Sequence, residues 1–402
     1  MKKFIIVLLL LLIPINVFSL DLDITSSNAI MYNLNDNEVI YEKGSEEEVS
    51  IASLTKIMTC IVALENIKNI DDKITLTNKD FEGLVEQNAA VAGFRVGEEV
   101  TYRDLLYGLM LPSGADAAQS LARNIAGSNE EYVELMNKKV KELGLSHTHF
   151  VNTTGLDIDG HFSSAYDLSK IFMYALKNDT FKEIITTSTY TTSNGRLTFK
   201  STISKALSNY NLDMSYLLGG KTGTTGNAGL CLATIAEKDN VKYLLVTVKA
   251  PMDGGIPSNY TDQKKIYEYF MNNYSYKSIV DKDEKLLRIK TKYAKKDYVV
   301  INAPKTIKKY LDNDFSQSKV KYKYTGKNVI TLDMDKGTKL GKVDIIYEDK
   351  VLDTIDVYLN KKQELDIFKY INGHKIIIII PSILVLLLIV IFIRKRNVKK
   401  KR

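Results

Sequence analysis

Apolar and polar positions divide the chain into elements before any chemistry is considered. Ala29–Leu34 and Glu38–Tyr41 are strand-like runs, and the Asn35-Asp36-Asn37 turn between them predicts an antiparallel hairpin. Leu54, Ile57, Met58, Ile61 and Val62 then recur at helical spacing. No charge falls between Lys56 and Glu65, so this helix is predicted to be buried nearly all round. Three more helices are predicted at Arg103–Leu111, stopped by Pro112, at Ala115–Ile125, and at Glu130–Leu143, ended by Gly144. The polar stretch Thr186–Asn211 follows, then Leu217–Gly223, then strands at Gly229–Ala236 and Val241–Lys249 and a helix at Asp262–Tyr274. Strands, a block of helices, strands and a closing helix predict an α+β domain over residues 22–275, one antiparallel sheet with helices clustered against it.

From Lys282 the texture changes. Val320, Tyr322 and Tyr324 alternate with Lys319, Lys321 and Lys323, and short runs follow at Val329–Met334, Lys342–Tyr347 and Lys350–Tyr358. That pattern predicts a small all-β sandwich over residues 282–362. Two long apolar runs flank these domains. Met1–Ser19 carries Lys2 and Lys3, then Phe4–Ile13, then Val17-Phe18-Ser19, the charged, apolar, small-residue order of a secretory signal peptide. Ile376–Ile393 holds eighteen residues without a charge, about 27 Å as a helix, and is read as a C-terminal transmembrane helix. The basic residues of 394–402 make that stretch a cytoplasmic tail by the positive-inside rule, so the expectation is a single-pass cell-membrane protein with its folded part outside.

Charge matters only after that division. The formal net charge of the 402 residues is +7, but nine of the 55 Lys and Arg lie in the two flanking segments, leaving 46 against 48 Asp and Glu. A nucleic-acid partner is therefore not expected. The two cysteines, Cys60 and Cys231, each sit in an apolar run and read as buried, unpaired thiols.

Three short motifs carry candidate chemistry. In Ser53-Leu54-Thr55-Lys56, Ser and Lys lie three apart on one helix face, so an amine meets a hydroxyl. Burial lowers a lysine's pKa and lets it act as a base, which a serine nucleophile needs. The bland alternative is a helix cap and a solvated lysine. Ser113-Gly114-Ala115 follows a helix-stopping proline, where the Ser113 hydroxyl is either an N-cap or a proton relay. Lys221-Thr222-Gly223-Thr224, at a strand edge, offers a cation, hydroxyls and close backbone approach for a substrate carboxylate.

In that order, S-x-x-K, a loop Ser and K-T-G form the penicillin-binding-protein set. Ile51–Thr59, Asp104–Gly114, Phe150–Asp157, the run from His161 to Leu168, and Gly219–Gly223 together resemble the low-molecular-mass, serine-type D-alanyl-D-alanine carboxypeptidase family, over most of residues 25–275. The resemblance implies the penicillin-binding-protein/β-lactamase-like transpeptidase fold and an acyl-enzyme on Ser53. It implies Lys56 as base and Ser113 as proton relay. It also implies Lys221, Thr222, Gly223 and Thr224 around the terminal carboxylate, and the Ser53 and Thr224 amides on the oxyanion. The implied partners are a peptidoglycan stem peptide ending in D-Ala-D-Ala and β-lactams as covalent inhibitors, with no cofactor and no metal.

The chain departs from the family in two places. Ala115 stands where the family usually has Asn, with Asp116 as a candidate replacement, and no Arg follows in Ala250–Thr261 to help bind the carboxylate. A catalytically weak penicillin- or wall-binding sensor is therefore the alternative reading. A β-lactamase is less favoured because no Glu-x-x-Leu-Asn occurs between Asp116 and Gly220. His147, His149, His161 and Asp167 raise a zinc peptidase as a third option, but without a His-Glu-x-x-His helix His161 reads as a structural hydrogen-bonder.

Overall fold

The computed structural model describes residues 20–252 and 254–399, and their side chains except those of 375–379 and 395–399. The signal segment expected at Met1–Ser19 and the last three residues of the expected tail lie outside the described residues. The chain divides into two compact units at Phe270/Met271.

The first unit is built on one sheet. In chain order its elements are β1 (Asn28–Asn33), β2 (Glu38–Lys43), α1 (Thr55–Asn66), β3 (Lys73–Thr75), β4 (Glu99–Thr101), α2 (Tyr102–Met110), α3 (Ala115–Ala126) and α4 (Asn129–Glu142). Next come α5 (Ala165–Ala175), α6 (Asp179–Thr186), β5 (Thr189–Thr191), β6 (Thr198–Lys200), α7 (Thr202–Asn209), β7 (Leu217–Thr225), β8 (Gly229–Lys238), β9 (Val241–Ala250) and α8 (Ser258–Asn273). The five-stranded sheet runs β2-β1-β9-β8-β7 and is antiparallel throughout. This puts the Lys221 motif on β7, at a sheet edge.

The helices start where side chains satisfy their free amides. Thr101 and Asp104 form a capping box at α2, and Ser128, Ser164 and Asn178 cap α4, α5 and α6. α1 has no such cap and is held by burial: Ile57, Met58 and Ile61 share one core with Ile30, Ala233, Leu244 and Val246 of the sheet. Each buried aliphatic side chain of this kind contributes about 1.5–3 kcal/mol, enough to hold an uncapped helix. Cys60 and Cys231 are both free and buried.

The second unit holds β10 (Tyr274–Val280), β11 (Lys285–Thr291), β12 (Tyr298–Asn302), β13 (Ile307–Asp312), β14 (Lys321–Gly326), β15 (Val329–Ile330), β16 (Lys339–Tyr347), β17 (Lys350–Tyr358), α9 (Ile367–Gly373) and α10 (Lys375–Lys399). Two three-stranded sheets, β12-β11-β15 and β14-β16-β17, share a core of Ile289, Val299, Ile301, Val343 and Val357. β10 and β13 pair separately.

The spanning helix expected over Ile376–Ile393 is not found as such: among the described residues no helix is long and apolar enough to cross a membrane.

Candidate active site

Ser53 lies in a 3₁₀ turn, Ala52–Leu54, that leads into α1. Ala52 holds φ +47°, the left-handed region that L-residues avoid. Two glycines allow the chain to close on that turn. A Cβ at Gly155 (φ +83°) would stand 2.0 Å from the Ala52 carbonyl oxygen. A Cβ at Gly223 would stand 3.0 Å from the Ser53 nitrogen and 3.1 Å from the Ala52 Cβ. The Lys-Thr-Gly motif therefore owes its glycine to the close approach of β7 to the Ser53 backbone.

Lys56 is buried, and its Nζ donates to Ser53 Oγ at 2.9 Å and to the Thr154 carbonyl at 2.6 Å. Burial pushes its pKa down to about 7, against the opposing pull of the Asp116 charge. A solvated Lys56 is excluded. The Thr154 carbonyl was not visible in the sequence, because a backbone acceptor carries no residue type. It is placed by Asn152, whose Oδ1 accepts from the Thr154 and Gly155 amides at 3.1 and 2.7 Å and from the Thr154 hydroxyl at 3.2 Å. An Asn two residues ahead of such amides is an Asx-turn signal that sequence reading can use.

Ser113 is also left-handed, at φ +69°. It does not cap α3: Gly114 occupies that position, with no side-chain cap. Its Oγ instead accepts from Lys221 Nζ at 2.9 Å, and that ammonium also donates to the Thr222 carbonyl at 2.7 Å. Lys221 is fully buried, and burial together with the nearby Lys56 charge holds its pKa well below the ordinary lysine range. Thr222 Oγ1 donates to Thr202 Oγ1 at 2.8 Å, a partner that sequence reading missed. Thr224 is exposed and lines a cavity of about 630 Å³ with Thr154, Asn152, Gln87 and Asp157. The Asp157 carboxylate accepts from Thr225 Oγ1 at 2.7 Å and from the Asn227 amide at 3.0 Å, tying the end of β7 to the Gly155 loop.

Asp116 does not replace the missing carboxamide at 115. Its oxygens accept from the Ala92, Gly93 and Phe94 amides at 2.8, 3.0 and 3.2 Å, so it is committed to holding that loop. Ala115 is buried, with its amide on the Ala90 carbonyl. The histidines go to separate tasks. His149 Nδ1 lies 2.7 Å from the Gly160 carbonyl, the His147 amide donates to Asp167 Oδ2 at 2.8 Å, and the His161 ring lies between Thr55 and Val151. Among the described residues no group of three or more His, Cys, Asp or Glu is placed to hold a metal ion.

A serine hydroxyl on a buried lysine, with a second Ser–Lys contact between a loop serine and a strand lysine, is an arrangement that can serve acyl transfer. Residues 16–252 match the D-alanyl-D-alanine carboxypeptidase family, peptidase family S11. The chain belongs to that family. As a serine-type D-alanyl-D-alanine carboxypeptidase it is a peptide hydrolase. The D-alanyl-D-alanine carboxypeptidase DacF of Bacillus subtilis is 29% identical over 332 residues, which are 81% of this chain and 83% of the relative. A D-alanyl-D-alanine carboxypeptidase of Streptomyces sp. strain K15 is 35% identical over 245 residues, 57% of this chain and 81% of the relative. Among solved structures, the Streptomyces K15 DD-transpeptidase superposes with a TM-score of 0.55 at 33% identity, covering 61% of this carboxypeptidase and 97% of that chain. Penicillin binding protein 5 from Haemophilus influenzae superposes with a TM-score of 0.63 at 23% identity, covering 85% and 98%, a likeness of fold. The penicillin-binding-protein-like α+β architecture expected from the sequence is thus the one observed.

Proposed function

We propose that Ser53 attacks the carbonyl carbon between the two terminal D-alanines of a peptidoglycan stem peptide, with Lys56 as its base. The observation that carries this reading is the 2.9 Å contact between Lys56 Nζ and Ser53 Oγ, with the lysine buried and pushed down to about 7. A neutral amine reverses that hydrogen bond: the Ser53 hydroxyl donates to the Nζ lone pair, and the proton passes as the C–O bond forms. The Thr154 carbonyl holds the amine on the serine from the other side. As the C–N bond breaks, Ser113 relays a proton to the departing D-alanine amine and takes up in exchange the one Lys56 gained from Ser53, while Lys221 keeps the Ser113 hydroxyl oriented. With Lys221 buried and Thr222 engaged by Thr202, Thr224 is the motif side chain that meets the terminal carboxylate. Water then hydrolyses the Ser53 ester, and a penicillin stops at that ester.

Purified protein should be labelled by a fluorescent penicillin and should release D-alanine from a stem pentapeptide, and Ser53→Ala should do neither. Labelling of Ser53→Ala would overturn the assignment of the nucleophile. Labelling without D-alanine release would favour the sensor reading, for which the alanine at 115 is the supporting observation.

The membrane placement belongs to the same proposal: a secretory segment at 1–19, a single span at 376–393, and the catalytic unit outside the cell. It is supported by the eighteen uncharged residues before Arg394 and by the large apolar side chains of Ile380–Ile393, which are 45–67% exposed. Protease added to intact cells should remove the catalytic unit and spare a fragment containing 394–402.

A further inference from the structure

His161 takes no part in the mechanism above, yet its buried ring is joined to the nucleophile's own turn by two successive hydrogen bonds. It is 5% exposed, with Phe150 packed against it in a T-shaped contact at 5.7 Å. The Val151 amide donates to Nδ1 at 3.1 Å. A nitrogen that accepts carries no proton, so the proton sits on Nε2. Nε2 lies 2.8 Å from Thr55 Oγ1, and Thr55 Oγ1 donates to the Ala52 carbonyl at 2.9 Å. Every polarity in this chain is therefore set: Val151 N–H to His161 Nδ1, His161 Nε2–H to Thr55 Oγ1, and Thr55 O–H to the Ala52 carbonyl.

The far end of the chain is the peptide that joins Ala52 to Ser53. Ala52 is the residue held at φ +47°, and a left-handed alanine persists only where its surroundings fix it. The near end is Val151, the start of the segment whose Thr154 carbonyl holds Lys56. His161 thus spans the two backbone pieces that set the Ser53 and Lys56 positions.

We infer that His161 is a positioning residue of the carboxypeptidase site, which through Thr55 fixes the Ala52–Ser53 peptide and through Val151 fixes the loop that holds Lys56. The inference rests on Ser53 and Lys56 being the reacting pair, and it assigns His161 no contact with substrate. It requires an acceptor and a donor at the two ends of one side chain, and a charged ring would lose the acceptor. Burial and the neighbouring His149 both favour the neutral ring, and Asp157 opposes them.

The test uses His161→Gln and His161→Leu in the full chain. Glutamine offers a carbonyl to the Val151 amide and an amide proton to Thr55, whereas leucine fills space and offers neither. Acylation by a fluorescent penicillin is followed by stopped flow and split into the binding constant and the acylation rate constant. The expected result for His161→Leu is an acylation rate constant lower by about tenfold to a hundredfold with binding nearly unchanged, because displacement of the nucleophile costs on that scale. His161→Gln should return to within about threefold of wild type. Should His161→Leu fail to fold, Thr55→Val breaks the same chain while keeping the side-chain shape, and it should slow acylation to the same degree. Wild-type acylation in either His161→Leu or Thr55→Val would overturn the inference, as would a glutamine variant as slow as the leucine one. Failure of the underlying mechanism looks different, since Ser53→Ala would then still be labelled.

Discussion

Replacing Lys56 by methionine should make the protein more stable and nearly inactive at once. The lysine pKa falls from 10.5 in the unfolded chain to about 7 in the folded one. That shift corresponds to about 5 kcal/mol of unfavourable burial of the charged form. The unfolded chain binds the extra proton between those two values, so wild-type stability rises with pH across this window and is lowest below pH about 7. Methionine removes the penalty but leaves the Thr154 carbonyl without its donor, which costs about 1–3 kcal/mol. The net expectation at pH 6 is a variant about 2–4 kcal/mol more stable than wild type, with the gap closing as pH rises and the order reversed by about 1–3 kcal/mol near pH 10.5, where only the lost Thr154 donor remains. Acylation should fall by about 10²–10⁴-fold, the usual worth of a general base. In the wild type the same shift predicts acylation that rises with pH through about 7 and then levels, with roughly a tenth of the plateau rate at pH 6. Stopped-flow acylation from pH 5 to 9 and urea unfolding at pH 6, 8 and 10 measure both. An acylation rate flat across that range, or a methionine variant less stable than wild type at pH 6, would refute the claim that Lys56 is a buried neutral base.

Three further outcomes follow from the geometry. Gly155→Ala places a Cβ 2.0 Å from the Ala52 carbonyl and demands φ +83° of an alanine; it should lower stability by at least about 2 kcal/mol and slow acylation, as read by thermal unfolding and penicillin labelling. Asp116→Asn removes a charge that raises the Lys56 pKa, so the midpoint of the acylation–pH profile should move to lower pH even as the Ala92–Phe94 loop loosens. His161 is held neutral, down to about 4 from 6.5, so the unfolded chain binds its proton first and stability is lost as pH falls from about 6.5 toward 4. His161→Gln should flatten that part of the stability–pH curve, a difference of at most about 3 kcal/mol.

Much of this was legible in the sequence, and the exceptions have common causes. α1 was legible because its apolar periodicity is unbroken by charge, and the same absence of charge signalled that Lys56 has no exposed face to occupy. α5, α6 and α7 were missed because short helices are set by caps at Ser164 and Asn178 and by packing, not by a long periodic stripe. β5 and β6 lay hidden in the polar stretch after Thr186 because three-residue strands bury little, with Phe199 the one fully enclosed side chain of the pair. Lys221 was expected to face substrate, and its burial against Ser113 depends on how β7 docks, which no local pattern encodes. The Thr154 carbonyl and the Asp116 nest are backbone partnerships, which leave no residue signature except the turn-forming Asn152.

The left-handed Ala52 turn has a consequence for how the chain acquires activity. Gly155, His161 and Gly223, which close on that turn or tie it down, lie 103 to 171 positions from Ala52. Loops that long close late and slowly. A refolding chain can thus regain α1, and most of its far-ultraviolet signal, while Ser53 is still unable to react. Covalent capture of penicillin then becomes a clock for the final docking of the sheet edge, and its appearance should trail the recovery of helical signal in time.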